Sequence, residues 1–182
     1  MALGATIHSV TVRLADADRG VYETLDLKLA RHPSESAEYL VTRLLVYCLE
    51  YAEGIAFSRG LSEPDAPALS VRDLTGALRA WIEVGEPDAA RLHKASKAAP
   101  RVAVYTHRDP ARLLRQLEGE PIHRREALEL FALDPGFVGA LVARLGRRMD
   151  LDLSVTGGHL FAALGAETLE GRVERVPADA GD

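Results

Sequence analysis

Four acidic residues in the first half of the chain are candidates for one shared site. Asp65 follows Pro64 in a loop, and Asp73 lies at the turn of a predicted hairpin. Glu83 lies on the second strand of that hairpin, and Glu35 begins the predicted helix that precedes these strands. Mg²⁺ prefers carboxylate oxygens that converge from rigid elements, with water in the remaining positions. Glu83, Asp65 and Asp73 are therefore the candidate metal ligands.

Two cations, Arg91 and Lys94, lie on one face of the helix that follows the Glu83 strand. A divalent metal with a nearby cation can activate a water molecule and stabilise the charge that develops in phosphoryl transfer. We therefore take Lys94, supported by Arg91 and Glu35, as the candidate catalytic group. An ordinary structural explanation remains open, because Asp73 is a common turn residue and Glu35 a common acid of a first helical turn.

Other catalytic motifs are absent from the sequence. It contains no Gly-rich phosphate loop, no dinucleotide-binding glycine pattern, no nucleophile-elbow serine and no His-Glu-x-x-His zinc motif. The six histidines form no pair at ligand spacing within one element. Cys48 is the only cysteine and lies on the apolar stripe of a predicted helix, which excludes an intrachain disulfide and indicates a core position.

The N-terminal part predicts an antiparallel hairpin followed by a long helix. Residues 4–14 and 21–30 are rich in β-branched and alternating apolar residues, which is typical of paired strands. Residues 35–53 carry one apolar stripe at helical spacing, which predicts an amphipathic helix. Ser34 is the predicted N-cap and Gly54 the predicted stop.

The elements that position the candidate site follow this helix. Strands are predicted at 55–58, 69–73, 78–84 and 101–107, with a helix at 87–100. The segment from 78 to 107 is long enough for a parallel strand–helix–strand crossover. Alternation along 78–84 turns Trp81 and Glu83 to one face and Ala80 and Ile82 to the other.

The last third continues the alternation of helices and strands. A helix is predicted at 109–118, a strand at 126–133, a helix at 135–147, a hairpin of 150–156 and 159–164, and a last strand at 167–176. The sequence thus predicts an α/β fold with a mixed central sheet, flanking helices, an N-terminal hairpin and C-terminal antiparallel strands. We expect one domain over residues 1–176 and a frayed tail at 177–182.

Composition limits the cellular setting and the partners. The chain has 182 residues, 47% of them apolar, and a net charge of -5. It lacks both an apolar run of the ~18 to 20 residues that span a membrane and a basic start followed by an apolar stretch. We expect a cytoplasmic protein with no membrane partner. Residues 101–149 carry nine arginines against six acids, which permits nucleic acid as a partner but is equally typical of solvated helices.

Several segments together resemble the YaeQ family of small bacterial proteins. They are Met1-Ala2-Leu3 with Ala5-Thr6-Ile7, Ala30-Arg31-His32-Pro33-Ser34-Glu35, Ser58-Arg59-Gly60-Leu61, and Trp81-Ile82-Glu83-Val84-Gly85 through Pro87-Asp88, Arg91 and Lys94-Ala95. The segments occur in the family's order and cover residues 1 to 107. Their combination is more specific than any one of them.

The resemblance implies a variant of the PD-(D/E)XK (restriction endonuclease-like) fold, whose core is helix, strand, hairpin, helix and strand. In active members of that superfamily an acid of the hairpin and an acid of its second strand bind the metal, and a glutamate of the first helix joins them. By resemblance, Glu83 takes the second-strand position and Glu35 the helix position. The family's other acid falls at Ala68 in this chain, so Asp65 or Asp73 has to replace it.

A second departure from the superfamily pattern concerns the catalytic lysine. Active members carry it two residues beyond the second-strand acid, where this chain has Gly85. The cation then has to come from Lys94 or Arg91.

Two functions remain open from the sequence. The first is a phosphodiester hydrolase, a nuclease that uses Mg²⁺ or alternatively Mn²⁺. The second is a non-catalytic module on a degenerate nuclease-like fold that binds nucleic acid or protein. The surviving acids favour the hydrolase, and Gly85 favours the binding module.

Overall fold

The computed structural model describes residues 4–59 and 63–178 of the chain. Within them, ten strands and four α-helices form an α/β fold with parallel and antiparallel strand pairs. The elements are β1 (Thr6–Asp16), β2 (Val21–Arg31), α1 (Ala37–Leu49), β3 (Ile55–Phe57), β4 (Leu69–Arg72), β5 (Leu78–Val84), α2 (Ala89–Ala98), β6 (Arg101–Thr106), α3 (Pro110–Leu117), β7 (Glu129–Leu133), α4 (Pro135–Val142), β8 (Arg148–Thr156), β9 (His159–Leu164) and β10 (Glu167–Val176). Most of the tail predicted to fray, residues 179–182, lies outside the described residues.

The chain divides into two compact units. The first comprises Met1–Leu49 and Leu133–Val173, and the second comprises Glu50–Ala132 and Glu174–Asp182. Each unit is therefore assembled from two separated stretches of chain. The single domain expected over residues 1–176 stays a prediction.

The first unit contains the N-terminal hairpin and the C-terminal strands. Its strands are ordered β2-β1-β8-β9-β10. β1 and β2 are antiparallel, with an unbroken register from Thr6↔Arg31 to Asp16↔Val21. β1 and β8 are parallel, whereas β8 and β9 form an antiparallel hairpin. Both hairpins predicted in this part of the chain are confirmed.

The long helix is confirmed, but it is shorter than the predicted 35–53. Ser36 rather than Ser34 caps α1, because the Ser36 Oγ accepts the amide hydrogen of Tyr39 at 3.0 Å. The helix ends at Leu49, well before Gly54. Gly54 has a positive φ of 89° and a Cβ there would lie 1.8 Å from the carbonyl oxygen of Arg72. This glycine therefore permits the close approach of two chain segments rather than stopping the helix.

The second unit carries the strands around Glu83. Their order is β7-β6-β5-β4-β3, with β3, β4 and β5 antiparallel and β5, β6 and β7 parallel. The predicted parallel crossover is thus confirmed. α2 and α3 cover the Trp81 face of β5, through an apolar cluster that includes Leu92, Ala95, Leu113 and Leu117. The strand predicted at 126–133 is shorter, because Arg125–Ala127 form a 3-10 turn before β7.

The apolar stripe of α1 makes a prediction about stability. Leu44 is 3% exposed, so its truncation leaves a cavity as well as losing buried apolar area. We expect Leu44→Ala to lower the free energy of unfolding by about 2 to 5 kcal/mol. Leu74, which is 91% exposed, provides the matched control, and Leu74→Ala should leave stability nearly unchanged. Urea denaturation of both variants checks this, and equal midpoints would contradict the burial of the stripe.

Candidate functional site

Glu83 is a buried carboxylate on a central strand. From Ala80 onward every residue of β5 is buried. β4 and β6 pair with its two edges, and α2 and α3 cover its Trp81 face. Ile82 is fully buried and Val84 is 6% exposed, while Glu83 itself is 4% exposed. Both strand neighbours of Glu83 therefore lie in the core. A carboxylate in such surroundings requires strong hydrogen-bond donors.

Two side chains satisfy this carboxylate. The indole Nε1 of Trp81 donates to Oε1 of Glu83 at 2.5 Å, and the guanidinium Nε of Arg91 donates to the same oxygen at 2.8 Å. Burial raises the pKa of Glu83, while the hydrogen bond from Trp81 and the charge of Arg91 oppose that rise. Alternation along β5 predicted that Trp81 shares the face of Glu83, but it did not identify the indole as a donor.

Arg91 reaches Glu83 because its backbone is fixed at the start of α2. Asp88 caps this helix and accepts the amide hydrogen of Arg91 at 2.8 Å. The guanidinium also donates to the carbonyl oxygens of Pro64 at 2.7 Å and Ala66 at 2.6 Å. One planar, permanently charged group therefore joins a strand, a helix and a loop.

Ala68 occupies the position opposite Glu83. Leu69 pairs with Ile82 in the antiparallel register of β4 and β5, so the next pair in that register is Ala68 with Glu83. Side chains of opposed residues lie on the same face of a sheet, and Ala68 is 5% exposed. At the position where the resemblance led us to expect the family's other acid, this chain thus has a buried methyl group.

Two other predicted site residues, Lys94 and Asp65, pair with each other. Lys94 Nζ lies 3.0 Å from a carboxylate oxygen of Asp65, with 55% and 89% of the two side chains exposed. A pair this open to water stabilises little. Lys94 is thus paired with Asp65, whereas the cation that holds Glu83 is Arg91.

Asp73 is engaged by its own turn. Its carboxylate accepts hydrogen bonds from the Thr75 hydroxyl at 2.6 Å, from the amides of Thr75 and Ala77, and from Arg79. These donors, with the Thr75 hydroxyl foremost, lower the pKa of Asp73 to about 2. The arrangement is that of a side chain that stabilises a hairpin turn.

Glu35 belongs to the first unit and is held there by Arg43. The Arg43 Nη2 lies 3.1 Å from Oε2 of Glu35, with 4% and 10% of the two side chains exposed. The same oxygen accepts the amide hydrogen of His32, and Arg43 also donates to the carbonyl oxygen of Ala30 at 2.9 Å. Glu35 therefore fastens the turn that leads into α1.

Four of the six predicted site residues form two pairs, Glu83 with Arg91 and Asp65 with Lys94. The other two, Asp73 and Glu35, contact different arginines. Across residues 4–59 and 63–178, no three His, Cys, Asp or Glu side chains form a group that could hold a metal ion. In this arrangement the residues near Glu83 do not fit a divalent cation. The assignment of Mg²⁺ or Mn²⁺ to Glu83, Asp65 and Asp73 stays a prediction without support from the geometry.

The unit that contains Glu83 has a second buried carboxylate, Glu50, which the sequence analysis did not identify. Glu50 forms a two-point ion pair with Arg101, at 2.6 and 2.9 Å. Glu50 also accepts a hydrogen bond from the hydroxyl of Tyr105 at 2.5 Å. Arg101 in turn donates a hydrogen bond to Glu129. Burial and the negative charge of Glu50 raise the pKa of Tyr105, which keeps its hydroxyl protonated. This cluster joins strands β6 and β7 to the start of the unit.

A groove of about 560 Å³ lies along α3, apart from the predicted residues. Leu114, Arg115, Glu118 and Arg125 are among its lining side chains. None of the six predicted site residues lines it. The geometry therefore gives this groove no part in the Glu83 site.

Comparison with known proteins places the chain among relatives of the same length. The family model "YaeQ protein" matches residues 1–173. The uncharacterized protein YaeQ of Escherichia coli (strain K12) is 35% identical over 172 residues, which cover 93% of this chain and 94% of that protein. The uncharacterized protein YaeQ of Salmonella typhi is 33% identical over 171 residues, with the same coverage of 93% and 94%.

Two solved structures have the same fold. The crystal structure of the YaeQ protein from Xanthomonas axonopodis pv. citri superposes with a TM-score of 0.86 at 30% identity, covering 96% of this chain and 99% of that one. The crystal structure of the YaeQ protein from Pseudomonas syringae gives a TM-score of 0.84 at 29% identity, covering 97% of this chain and 98% of that one.

None of the helices in the described part of the chain has the length and apolar character needed to span a membrane.

The geometry around Glu83 predicts an asymmetry between the two halves of its ion pair. Arg91→Met leaves a buried carboxylate without its cation, and we expect a loss of about 3 kcal/mol in unfolding free energy. Glu83→Gln leaves Arg91, which is 29% exposed, with two carbonyl partners and access to water. We expect that variant to stay within about 1 kcal/mol of the wild type.

Chemical denaturation measures the unfolding free energy of both variants. The controls are Arg91→Lys and the double variant that combines Arg91→Met with Glu83→Gln. The double variant should recover part of the stability lost in Arg91→Met, because no buried charge is then left unpaired. Arg91→Lys keeps the charge and should lose less than Arg91→Met. A larger loss in Glu83→Gln than in Arg91→Met would contradict this account.

The raised pKa of Glu83 also predicts a pH dependence. Because the folded pKa lies above the ordinary value of 4.5, the folded protein holds a proton that the unfolded chain releases between these two values. The stability from this group is fully present below 4.5 and falls as pH rises through the folded pKa. The unfolding free energy of the wild type minus that of Glu83→Gln should therefore decrease from pH 4 to pH 7. An increase over this range would show that the charge of Arg91 outweighs burial.

Proposed function

This chain belongs to the YaeQ family, and we propose that it is a non-catalytic member that acts by binding a protein partner. The proposal rests on one observation, the closed state of the Glu83 carboxylate. Both of its donors, Trp81 and Arg91, bind Oε1 of the carboxylate, and the second donor brings its own positive charge beside it. The guanidinium supplies the positive charge that a cation supplies in a metal-dependent hydrolase.

Opening this site for a metal ion is costly. The Arg91 guanidinium would have to leave Glu83 and also the carbonyl oxygens of Pro64 and Ala66. A metal at that point would then find a single carboxylate, because Ala68 lies opposite Glu83. Mg²⁺ keeps several waters and is usually bound by one or two carboxylates together with substrate phosphates. A single carboxylate that is already paired with a guanidinium offers it little.

The nuclease-like core is also part of the proposal. Helix, strand, hairpin, helix and strand follow in the expected order, as α1, β3, β4 with β5, α2 and β6. The hairpin β4–β5 is antiparallel and the crossover from β5 to β6 is parallel. These features support a PD-(D/E)XK-like core whose catalytic position has been replaced by an ion pair.

The contacts of the arginines favour protein over nucleic acid as the partner. Six of the nine arginines in residues 101–149 direct their guanidinium groups at acidic side chains or backbone carbonyls of the same unit: Arg101, Arg108, Arg112, Arg124, Arg125 and Arg144. Arg101, for example, holds Glu50 and Glu129. Guanidinium groups held in this way are less free to turn toward phosphates, so the interpretation of these arginines as structural groups gains support.

Metal titration tests the proposal directly. We expect calorimetric titration of the wild type with Mn²⁺ or Mg²⁺, at millimolar metal, to give no heat beyond dilution. Glu83→Gln serves as the matched control, because it removes the carboxylate to which the metal was assigned and should behave identically. Metal binding in the wild type that Glu83→Gln abolishes would overturn the proposal in favour of the hydrolase.

Nucleic acids provide a second arm of the test. The wild type, with Mg²⁺ and with chelator, should leave labelled single-stranded DNA, double-stranded DNA and RNA intact. Fluorescence anisotropy should show no binding that weakens steeply between 50 and 200 mM salt, which is the signature of phosphate contacts. Cleavage that depends on Mg²⁺ and on Glu83, or steep salt-dependent binding, would contradict a protein-binding role.

A further inference from the structure

The outer edge of the first unit is a long and regular strand. β2 has 11 residues, about twice the usual strand length, and among the described residues it pairs with β1 alone. It contains neither a proline nor a register shift. Proteins usually blunt such edges, because the unpaired amides and carbonyls can pair with another strand.

The direction of the backbone groups in β2 follows from its neighbours. The amide of Ser9 donates to Arg147 next to β8, and the amide of Ala17 donates to Val155 of β8. Odd-numbered residues of β1 therefore point to β8, and even-numbered residues point to β2. In the register of β1 with β2, the even-numbered residues of β1 pair with odd-numbered ones of β2.

The even-numbered residues of β2 consequently turn their amides and carbonyls outward. These residues are Tyr22, Thr24, Asp26, Lys28 and Ala30, and each has an exposed side chain. The carbonyl of Ala30 accepts a hydrogen bond from Arg43, which is consistent with an outward direction. The odd-numbered Leu25, Leu27 and Leu29 are buried on the opposite face.

We propose that this edge pairs with the same edge of a second copy of the chain. The pairing is antiparallel about a two-fold axis through Leu27, so that Asp26 of each copy lies opposite Lys28 of the other. Glu23 then lies opposite Arg31, and Leu25 opposite Leu29. The result is a continuous sheet across two copies, in which the outward backbone groups of Asp26 and Lys28 pair about the axis. This proposal is independent of the Glu83 site.

Charge selects this register over its neighbours. Only a change of the register between the two β2 strands by two residues, or a multiple of two, keeps the leucines of both copies on one face. One such shift centres the axis on Asp26 and places two aspartates opposite each other. The other centres it on Lys28 and places two lysines opposite each other. Opposite charges stabilise directly opposed positions and like charges destabilise them, so the axis through Leu27 is the favourable one.

Exposed apolar side chains support the same arrangement. Tyr22 is 66% exposed and Ile7 is 48% exposed, and both lie on the hairpin formed by β1 and β2. In the proposed register Tyr22 is placed opposite His32 of the second copy. It then lies near Ala30 of the second copy, the β1 partner of which is Ile7. The pairing thus gives the exposed Tyr22 ring a neighbour on the second copy.

A charge exchange across the axis tests the proposal. Sedimentation velocity should show a dimer for the wild type at micromolar concentration. Asp26→Lys places lysine against Lys28 of the other copy, and Lys28→Asp places aspartate against Asp26. Each single variant should raise the dimer dissociation constant by roughly tenfold or more, given two reversed contacts per dimer. The double variant Asp26→Lys with Lys28→Asp restores opposite charges and should restore the dimer.

Controls separate this result from misfolding and from net charge. Circular dichroism should show each variant folded, and Glu170→Lys, an equal charge change on an exposed position of β10, should leave the dimer intact. Hydrogen exchange should protect the outward amides of Thr24, Asp26 and Lys28 in the wild type, and not in the single variants. A wild type that is monomeric at all concentrations would overturn the proposal. A dimer unaffected by the single variants, or not restored in the double variant, would do the same.

Discussion

The buried carboxylate of Glu83 is the constraint on which the second unit depends. A charged group with 4% exposure on a central strand is stable only if strong donors surround it. Arg91 meets that need with a group that keeps its charge at any physiological pH and presents several donors in one plane. Because the same guanidinium binds the carbonyls of Pro64 and Ala66, solvating one carboxylate also positions α2 and the loop before β4.

The cation that stabilises Glu83 also defines what the site can do. In a metal-dependent hydrolase, the charge beside such a carboxylate is exchangeable and carries a reactive water. Here it is covalently part of the chain, and Ala68 supplies no second ligand. The Glu50–Arg101 pair uses the same solution on β6, with Tyr105 as an additional donor. Arginine thus acts in this unit as a permanent internal counter-ion.

Both proposals for this chain place its binding function at the surface. The edge of β2 combines an unbroken backbone register with an alternation of opposite charges at Asp26 and Lys28. Backbone pairing gives affinity at such an edge, while side chains decide the register and the partner. The two proposals are compatible, because the Glu83 site and the β2 edge belong to different units.

The sequence by itself determined the local structure. Strand alternation and helical spacing depend on residues a few positions apart, so the hairpins, the crossover and the common face of Trp81 and Glu83 were predictable. Helix ends were less so, because Ser34 and Ser36 are both competent caps and only the path of the chain selects Ser36. Asp73 is held by residues two to six positions further along the chain, so its role in the turn was a local matter. The partners of Glu83 and Asp65 were decided by the tertiary structure alone, because register and helix placement set their distances to Arg91 and Lys94.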